Sequence, residues 1–261
     1  MKRHLKKLVK DILRRLDIEI TSRAGLASLV EKSKSQHQMA LLSKLPDEQI
    51  PYFLRNLVGK SRAQLGQDLF VLSESNLKKN GFFVEFGATN GVDLSNTLLL
   101  EKEFGWNGIL AEPARVWHSA LKNNRSCQIE TRCVWSSSGS TLTFSEAEWA
   151  ELSTVSAFKS SDHHKKSREH SQTYDVETIS LLDLLKNHNA PQAIDYLSID
   201  TEGSEFEILS AFDFGKYQFG FISCEHNFTP AREQILKLLN SHGYKRKFED
   251  VSGFDDWYVR G

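Results

Sequence analysis

Acidic side chains follow two apolar stretches in the second half of the sequence, at positions that suit proton transfer. Asp200 and Glu202 follow one stretch, and Glu225 and His226 follow the next. Transfer of a group to a hydroxyl needs a base that removes the hydroxyl proton. A histidine beside a carboxylate suits this role, because the carboxylate orients the ring and stabilises its protonated form. We therefore predict that His226, paired with Asp200 or Glu202, is the catalytic base.

Two other interpretations fit the same residues. A divalent cation bound by Asp200, Glu202 and His226 would lower the pKa of the hydroxyl directly. Alternatively, Glu202 and Glu205 would only stabilise the N-terminus of the following helix through its dipole. The sequence leaves the metal ligands unknown.

A glycine-rich loop earlier in the chain is a candidate cofactor site. Gly87 and Gly91 let the backbone approach a ligand closely, and Glu85 immediately precedes them. Glu112 lies 21 residues after Gly91, where a carboxylate can accept both ribose hydroxyls of a nucleoside. Glycines that serve only the packing of a strand–helix turn are the alternative.

The loop favours S-adenosylmethionine over NAD as the nucleoside. A dinucleotide site would have the G-x-G-x-x-G pattern for its pyrophosphate, and this chain lacks the first G-x-G pair. Glu85 would repel a pyrophosphate, whereas it would attract the cationic amino-acid end of S-adenosylmethionine. A NAD-dependent oxidoreductase is therefore the weaker alternative.

Short apolar runs alternate with helical patterns from about residue 61 onward, which predicts an α/β fold with a mostly parallel sheet and helices on both faces. The last two runs predict an antiparallel hairpin at the sheet edge. The predicted strands are 81–86, 109–112, 127–135, 141–144, 174–179, 194–200, 219–225, 244–248 and 257–260. Because ligands bind at the carboxyl ends of parallel strands, we expect the glycine loop and the acidic residues to converge there.

A polar segment over residues 146–173 interrupts this alternation of strands and helices. A loop of that length in a compact domain is typically functional or disordered, so we predict a lid over the acceptor, with Trp149 and Phe158 as sugar-stacking groups. The adjacent His163 and His164, after Asp162, are better explained as exposed loop residues than as metal ligands.

The charge is divided unevenly along the chain. Residues 1–60 contain 13 Lys and Arg and 6 Asp and Glu, whereas residues 61–261 contain 20 and 28. We predict a basic helical N-terminal extension over 1–60 and a catalytic domain over 61–261. The amphipathic helix in residues 1–20 would cover the domain's own surface, pack against a second copy of the chain or dock on a membrane.

Composition excludes several protein classes. No apolar run approaches the roughly 18 residues of a spanning helix. Three cysteines are too few for a disulfide framework or a cysteine-based zinc site, so we expect a cytoplasmic protein, with peripheral attachment at the inner membrane face as the alternative. An acidic catalytic half argues against a nucleic-acid substrate.

Several segments resemble the FkbM family of S-adenosylmethionine-dependent methyltransferases over about residues 61–260. They are the stretch 81–91 (GFFVEFGATNG), 95–97 (SNT), 105–113 (GWNGILAEP), 195–209 (DYLSIDTEGSEFEIL), 61–68 (SRAQLGQD) and 225–227 (EHN). The resemblance implies a class I methyltransferase fold, Rossmann-like, with a seven-stranded sheet whose last strand is antiparallel. O-methyl transfer is the activity it usually implies.

The resemblance also implies roles for individual residues. Those that would contact S-adenosylmethionine are Glu85, Gly87, Gly91, Ser95 and Asn96 around the methionine part, Glu112 at the ribose, and Cys133 and Val134 at the adenine. Many class I enzymes place an acidic residue at the adenine, and this chain has Arg132 to Trp135 there. The acceptor would be a hydroxyl on a sugar of a surface glycan or glycolipid. A polyketide-like small molecule and a non-catalytic nucleoside-binding scaffold are the alternatives.

Overall fold

The computed structural model describes residues 34–146, 154–155 and 172–261. The strands are β1 (Phe82–Phe86), β2 (Asn107–Ala111), β3 (Gln128–Glu130), β4 (Cys133–Trp135), β5 (Thr141–Glu146), β6 (Thr154–Val155), β7 (Gln172–Ser180), β8 (Ala193–Ile199), β9 (Gln218–Glu225), β10 (Tyr244–Lys247) and β11 (Asp255–Arg260). The helices are α1 (34–42), α2 (Ile50–Asn56), α3 (Gln67–Glu74), α4 (Leu98–Phe104), α5 (His118–Asn124), α6 (Leu181–Asn187), α7 (Glu205–Ser210) and α8 (Ala231–Ser241). The predictions for residues 1–20, Trp149, Phe158 and Asp162 to His164 lie outside the described residues.

The main sheet has seven strands in the order β10-β11-β9-β8-β1-β2-β3. The pairs from β9 to β3 are parallel, and β11 runs antiparallel to both β9 and β10. The predicted mostly parallel sheet with an antiparallel last strand is confirmed. The carboxyl ends of β1, β2, β8 and β9 therefore meet at one edge, where a ligand is expected.

Helices cover both faces of this sheet, as predicted. One apolar core contains Val84 and Leu197 of the sheet with leucines of α6, α7 and α8. The opposite core contains Phe83 and Trp257 of the sheet with apolar residues of α1 to α5. Alternate residues of one strand enter opposite cores because their side chains point to opposite faces.

The described part of the N-terminal region shares the second of these cores. Leu41 of α1 and Phe53 of α2 are fully buried, in the same cluster as Phe70 of α3 and Trp257 of β11. Residue 60 therefore does not separate two cores within the described residues. Among those residues, no helix is long and apolar enough to cross a membrane.

The predicted strand over residues 127–135 is wrong as a single element. The Glu130 carboxylate accepts hydrogen bonds from the backbone N–H groups of Thr131 and Arg132, each at 3.0 Å, and these bonds turn the chain. β3 consequently ends the main sheet, whereas β4 pairs in parallel with β7 in a second sheet of order β4-β7-β5-β6. This second sheet has a small apolar core of its own that includes Phe144 and Val155.

Candidate active site

A cavity of about 310 Å³ opens at the carboxyl ends of β1, β2, β8 and β9, closed on one side by the second sheet. Most of the predicted site residues line it: Glu85, Gly87, Asn96, Glu112, Cys133, Val134, Asp200 and Glu202. The other three predicted residues, Gly91, Ser95 and His226, are not among the lining residues. The structure thus brings the predicted cofactor-binding residues and the acidic residues together. This agrees with their positions at the carboxyl ends of parallel strands.

Glu85, near the end of β1, is buried and bonded to the start of the next helix. Its Oε1 accepts the backbone N–H of Asn96 at 2.7 Å, and its Oε2 accepts the hydroxyls of Ser95, at 3.2 Å, and Thr97. Burial raises the pKa of Glu85, and the charge of Arg125 opposes that effect. The carboxylate therefore fixes the loop between β1 and α4 while it lines the cavity.

Arg125 lies beneath this loop, and no sequence motif predicts a role for it. Its buried guanidinium donates to Glu101 at 2.7 Å, to the carbonyl of Gly91 at 3.2 Å and to the hydroxyl of Ser95 at 3.1 Å. A Cβ at Gly91 would lie 2.6 Å from the Arg125 side chain. Gly91 and Ser95 thus hold the loop in place from behind without lining the cavity, and their contact with a cofactor stays a prediction.

Asn96 contacts both the loop and the sheet. Its side-chain amide donates to Ser198 Oγ of β8 at 2.9 Å, whereas its Oδ1 is buried without a hydrogen-bond partner among the described residues. A buried polar atom left unpaired carries a desolvation penalty, which a bound donor would remove. The orphaned oxygen fits a ligand that supplies a donor, such as the ammonium group of S-adenosylmethionine.

Glu112, directly after β2, is buried with both oxygens in hydrogen bonds. Its Oε2 accepts the N–H of Thr89 at 2.7 Å, and its Oε1 accepts the N–H of Ala114 at 2.8 Å. Burial, opposed by these two bonds, raises the pKa of Glu112 to about 7. Since each carboxylate oxygen has a second lone pair, the group can still accept ribose hydroxyls.

The second sheet forms the apolar wall of the cavity. Cys133 and Val134 of β4 line it together with Phe144 of β5 and Val155 of β6. These side chains make an apolar slot of the kind that a planar base requires. Glu130, the acidic residue just before β4 in the chain, binds Arg132 through two hydrogen bonds of 2.6 and 2.9 Å.

Three carboxylates converge at the acidic end of the cavity. Carboxylate oxygens of Asp200, Glu202 and Glu225 all lie within 4.8 Å of one another. Burial, reinforced by the charges of Asp200 and Glu202, raises the pKa of Glu225 well above its ordinary value. Carboxylates at this spacing, two of them buried, suit proton acceptance or cation binding, and Glu225 takes the place at the cavity that was predicted for His226.

His226 faces away from the cavity. Its Nδ1 accepts the backbone N–H of Phe228 at 3.0 Å, and its Nε2 lies 3.8 Å from Asp256 Oδ1. Glu225 lines the cavity and His226, the residue after β9, does not. Burial lowers the pKa of His226. The predicted pairing of His226 with Asp200 or Glu202 is therefore corrected.

Glu205 also takes a structural position. Its Oε1 accepts N–H groups of Thr201, at 2.9 Å, and Gly203, at 3.1 Å, which closes the turn before α7. Glu205 therefore stabilises the N-terminus of α7, as one of the alternative interpretations of the sequence predicts.

Gln67 and Asp255 are site residues that sequence reasoning missed. Gln67 lines the cavity, and its Nε2 donates to Asp255 Oδ2 at 2.7 Å. Burial raises the pKa of Asp255 to about 8, with the Gln67 hydrogen bond opposing and the charge of Asp200 adding to the rise. In the sequence, only the resemblance of residues 61–68 to the family pointed to this region, and that resemblance implied no role for Gln67.

Several residues of the cavity wall have left-handed backbone without being glycine. They are Thr89, Leu94, Glu202 and Asn227, with φ values of 47°, 61°, 58° and 43°. Such conformations are unfavourable for residues with a Cβ and persist where the surrounding structure imposes them, frequently at ligand sites. The strain is an independent indication that this edge of the sheet is functional.

The charge of the cavity lining favours S-adenosylmethionine over NAD as the bound nucleoside. Five carboxylates line the cavity, and among the described lining residues there is no Lys, Arg or His. A lining of carboxyl groups without a basic side chain offers no cation to the pyrophosphate of NAD, whereas carboxyl oxygens suit the ammonium and sulfonium groups of S-adenosylmethionine. The sheet order, the antiparallel last strand and this site define a class I S-adenosylmethionine-dependent methyltransferase.

Comparison with known proteins identifies the family. The sequence signature described as the methyltransferase FkbM domain matches residues 85–246. The chain belongs to the FkbM methyltransferase family. No curated protein sequence matches it.

Several solved structures are similar to the chain at low sequence identity. An FkbM methyltransferase from Methylobacillus flagellatus KT is 13% identical, with a TM-score of 0.44 and coverage of 97% of this chain and 70% of that one. A putative RNA methyltransferase from Pyrococcus horikoshii is 12% identical, with a TM-score of 0.40 and coverage of 85% and 94%. A precorrin-6y C5,15-methyltransferase from Geobacter metallireducens GS-15 is 12% identical, with a TM-score of 0.37 and coverage of 69% and 71%.

Proposed function

We propose that this methyltransferase methylates a hydroxyl oxygen and that Asp200, Glu202 and Glu225 provide the base. The observation that carries the proposal is the convergence of their carboxylate oxygens within 4.8 Å at the end of the cofactor cavity. A hydroxyl is a weak nucleophile until its proton is removed, and buried carboxylates beside the donor are suited to remove it.

The residues that would hold the donor follow from their positions in the cavity. Glu112 would accept the ribose hydroxyls, Cys133 and Val134 would pack on the adenine, and Glu85 and Asn96 would face the methionine part. S-adenosylmethionine supplies a methyl group on a sulfonium, which leaves as a neutral thioether when the methyl is transferred.

In the proposed reaction, the acidic cluster accepts the proton that the acceptor hydroxyl releases. As the acceptor oxygen gains the methyl group, its proton passes to a carboxylate oxygen of the cluster. Once ionised, Glu225 binds a proton strongly, because burial and the charges of Asp200 and Glu202 raise its pKa.

A divalent cation is the second candidate for activating the hydroxyl. Asp200, Glu202 and Glu225 offer three oxygen ligands, the type that Mg²⁺ and Mn²⁺ prefer. A cation held there would lower the pKa of the bound hydroxyl instead of removing its proton directly. Turnover that survives thorough chelation would exclude this candidate, whereas restoration by added Mg²⁺ would favour it.

The acceptor that we propose is a sugar hydroxyl of a surface glycan or glycolipid, an inference from the family alone. A polyketide-like small molecule is the alternative acceptor, and a non-catalytic nucleoside-binding scaffold is the alternative function. The acidic cavity disfavours nucleic acid as the substrate. We further propose a cytoplasmic enzyme whose residues 1–20 attach it to a membrane face or to a second copy.

The test is methyl transfer from S-adenosylmethionine carrying a deuterated methyl group to glycans extracted from the source cells. We expect a glycan fraction to gain one labelled methyl group, and Glu225→Gln to reduce the rate about 10²- to 10⁴-fold while binding of S-adenosylhomocysteine persists. Glu207→Gln, on α7 outside the cavity, is the matched control and should retain the rate. Labelling at full rate by the Glu225, Asp200 and Glu202 amide variants would contradict the assignment of the base.

A further inference from the structure

Tyr174 of β7 connects the second sheet with the segment that follows β2. Its hydroxyl donates to Glu146 Oε2, at the end of β5, at 2.6 Å and accepts the backbone N–H of Arg115 at 3.0 Å. A phenolic hydroxyl has one hydrogen, so the bond to Glu146 uses that hydrogen and leaves the oxygen lone pairs for the Arg115 N–H. The two bonds therefore hold the backbone of Arg115 against the second sheet.

The Arg115 side chain makes a second contact with the same strand. Its guanidinium lies over the Tyr174 ring, with Cζ 4.2 Å from the ring centroid, and donates to the backbone carbonyl of Asp175 at 3.0 Å. The Tyr174 ring also packs against Phe144, with 5.8 Å between the ring centroids, and Phe144 lines the cofactor cavity. Tyr174 thus contacts both the segment after β2 and the apolar wall of the cavity.

The segment that Tyr174 holds begins with Glu112, the carboxylate proposed to bind the ribose. Pro113 lines the cavity and has no N–H, so Ala114 is the first residue after Glu112 that can donate one. The N–H of Ala114 donates to Glu112 Oε1 at 2.8 Å. The next N–H, that of Arg115, is the one that Tyr174 accepts. Because the peptide units of these two N–H groups are planar and adjacent, a shift of Arg115 also moves the N–H that orients the carboxylate.

We propose that Tyr174 is a positioning residue for the donor nucleoside, which keeps Glu112 at the distance from the apolar wall that a joined ribose and adenine require. Glu112 lies at the edge of the main sheet, whereas Phe144 of the apolar wall belongs to the second sheet. Ribose and adenine are rings joined by one bond, so the two walls that bind them must keep a constant separation. This inference rests on the proposed binding of the ribose by Glu112.

The test is calorimetric titration of the full chain with S-adenosylhomocysteine and with 5′-methylthioadenosine, which keeps the nucleoside but lacks the amino-acid end. Tyr174→Phe removes the hydroxyl and keeps the ring. We expect this variant to bind both ligands more weakly by the same factor, about three- to tenfold, the effect of one hydrogen bond. Tyr244→Phe is the matched control, because the Tyr244 hydroxyl also accepts a backbone N–H, that of Phe219 at 3.1 Å, at the amino end of β9. The control should bind both ligands as the unmodified protein does.

The pH dependence of binding separates positioning from stability. Burial raises the pKa of Glu112 to about 7. The charges that add to this rise, and the N–H groups that oppose it, are those of Asp200 and Glu146, and of Ala114 and Thr89, respectively. Tyr174→Phe should weaken the Ala114 bond, so the pKa of Glu112, and with it the pH at which ligand affinity rises, should move upward. Tyr244→Phe should lose similar stability in thermal unfolding without moving this pH.

Several results would overturn the positioning role of Tyr174. They are unchanged affinity for both ligands in Tyr174→Phe, a loss confined to S-adenosylhomocysteine, an equal loss in Tyr244→Phe, and a pH dependence that stays in place. Failure of 5′-methylthioadenosine to bind to protein that binds S-adenosylhomocysteine would overturn it as well. Unmodified protein that binds neither ligand would overturn the proposed function together with this inference.

Discussion

Gly87 of the cofactor loop lies directly against the backbone carbonyl of Asp200, so two neighbouring strand ends meet without an intervening side chain. A Cβ at Gly87 would lie less than 3.0 Å from that carbonyl oxygen, and the φ of Gly87 is +74°. The contact joins the loop that would hold the donor to the residue that begins the acidic cluster. The relative position of donor and base thus depends on this glycine.

Gly87→Ala should abolish binding of S-adenosylhomocysteine and reduce the free energy of unfolding. Backbone cannot move aside as a flexible side chain can, so the carbonyl of Asp200 must shift. Gly139→Ala is the control, since Gly139 has a φ of +77° with nothing within 4 Å of the added Cβ. The free energy of unfolding of Gly139→Ala should fall only by the cost of placing alanine in a left-handed conformation, about 1 to 2 kcal/mol. Equal losses in denaturant unfolding of the two variants would contradict the close contact.

Arg125→Met should destabilise the protein by about 3 to 5 kcal/mol, because it leaves the buried carboxylate of Glu85 without a cation and leaves Glu101 only the exposed Lys102. Arg125→Lys keeps the positive charge but loses the planar guanidinium and its several donors. We therefore expect it to be more stable than Arg125→Met but less stable than the unmodified protein. Lys60→Met, in the exposed ion pair with Glu103, is the control and should lose at most about 1 kcal/mol. Urea unfolding measures all three, and a loss under 1 kcal/mol in Arg125→Met would contradict the role of the guanidinium.

The sequence predicted the fold and the nucleoside half of the site because those features depend on local patterns. The apolar runs that precede Glu85, Glu112 and Asp200 define strands, and parallel strands carry the residues after them to one edge. Long-range pairings could not be predicted in the same way. That β4 leaves the main sheet depends on how the Glu130 carboxylate turns the chain.

The errors at the site have the same origin. A sequence shows that Glu225 and His226 are adjacent but not which of them faces the cavity, because a shift of one residue in register exchanges the faces. Arg125 and Gln67 act through partners 24 and 188 residues away, respectively Glu101 and Asp255, and no local spacing reveals such pairs.

The affinity for S-adenosylhomocysteine should rise with pH through the pKa of Glu112, about 7. The ionised carboxylate accepts ribose hydroxyls, so binding favours the form that has lost its proton. Between pH 6 and 8 we expect about a tenfold rise and proton release on binding, both measurable by calorimetry in two buffers. Glu112→Gln should remove the pH dependence, and the exposed Glu177→Gln should preserve it. A flat profile for the unmodified protein would contradict ribose binding by Glu112.

Stability should fall as the pH rises from about 7 to 8.5, by roughly 1 to 2 kcal/mol. The folded-state pKa values of Asp255, about 8, and Glu225, well above its ordinary value, are raised relative to the unfolded chain. The folded protein therefore holds protons that the unfolded chain has lost, and it loses this advantage as these groups ionise. Asp255→Asn should reduce the slope in urea unfolding, whereas the exposed Asp47→Asn should leave it unchanged. A stability that rises over this range would contradict the burial of these carboxylates.

Calorimetric titration with S-adenosylhomocysteine, with NAD in parallel, tests most directly whether the acidic cavity holds the nucleoside of a methyl donor. We predict saturable binding of one S-adenosylhomocysteine per chain, no heat with NAD, and loss of binding in Glu112→Ala but not in Glu177→Ala. Binding of NAD, or no binding of S-adenosylhomocysteine to folded protein, would contradict the assignment of this cavity.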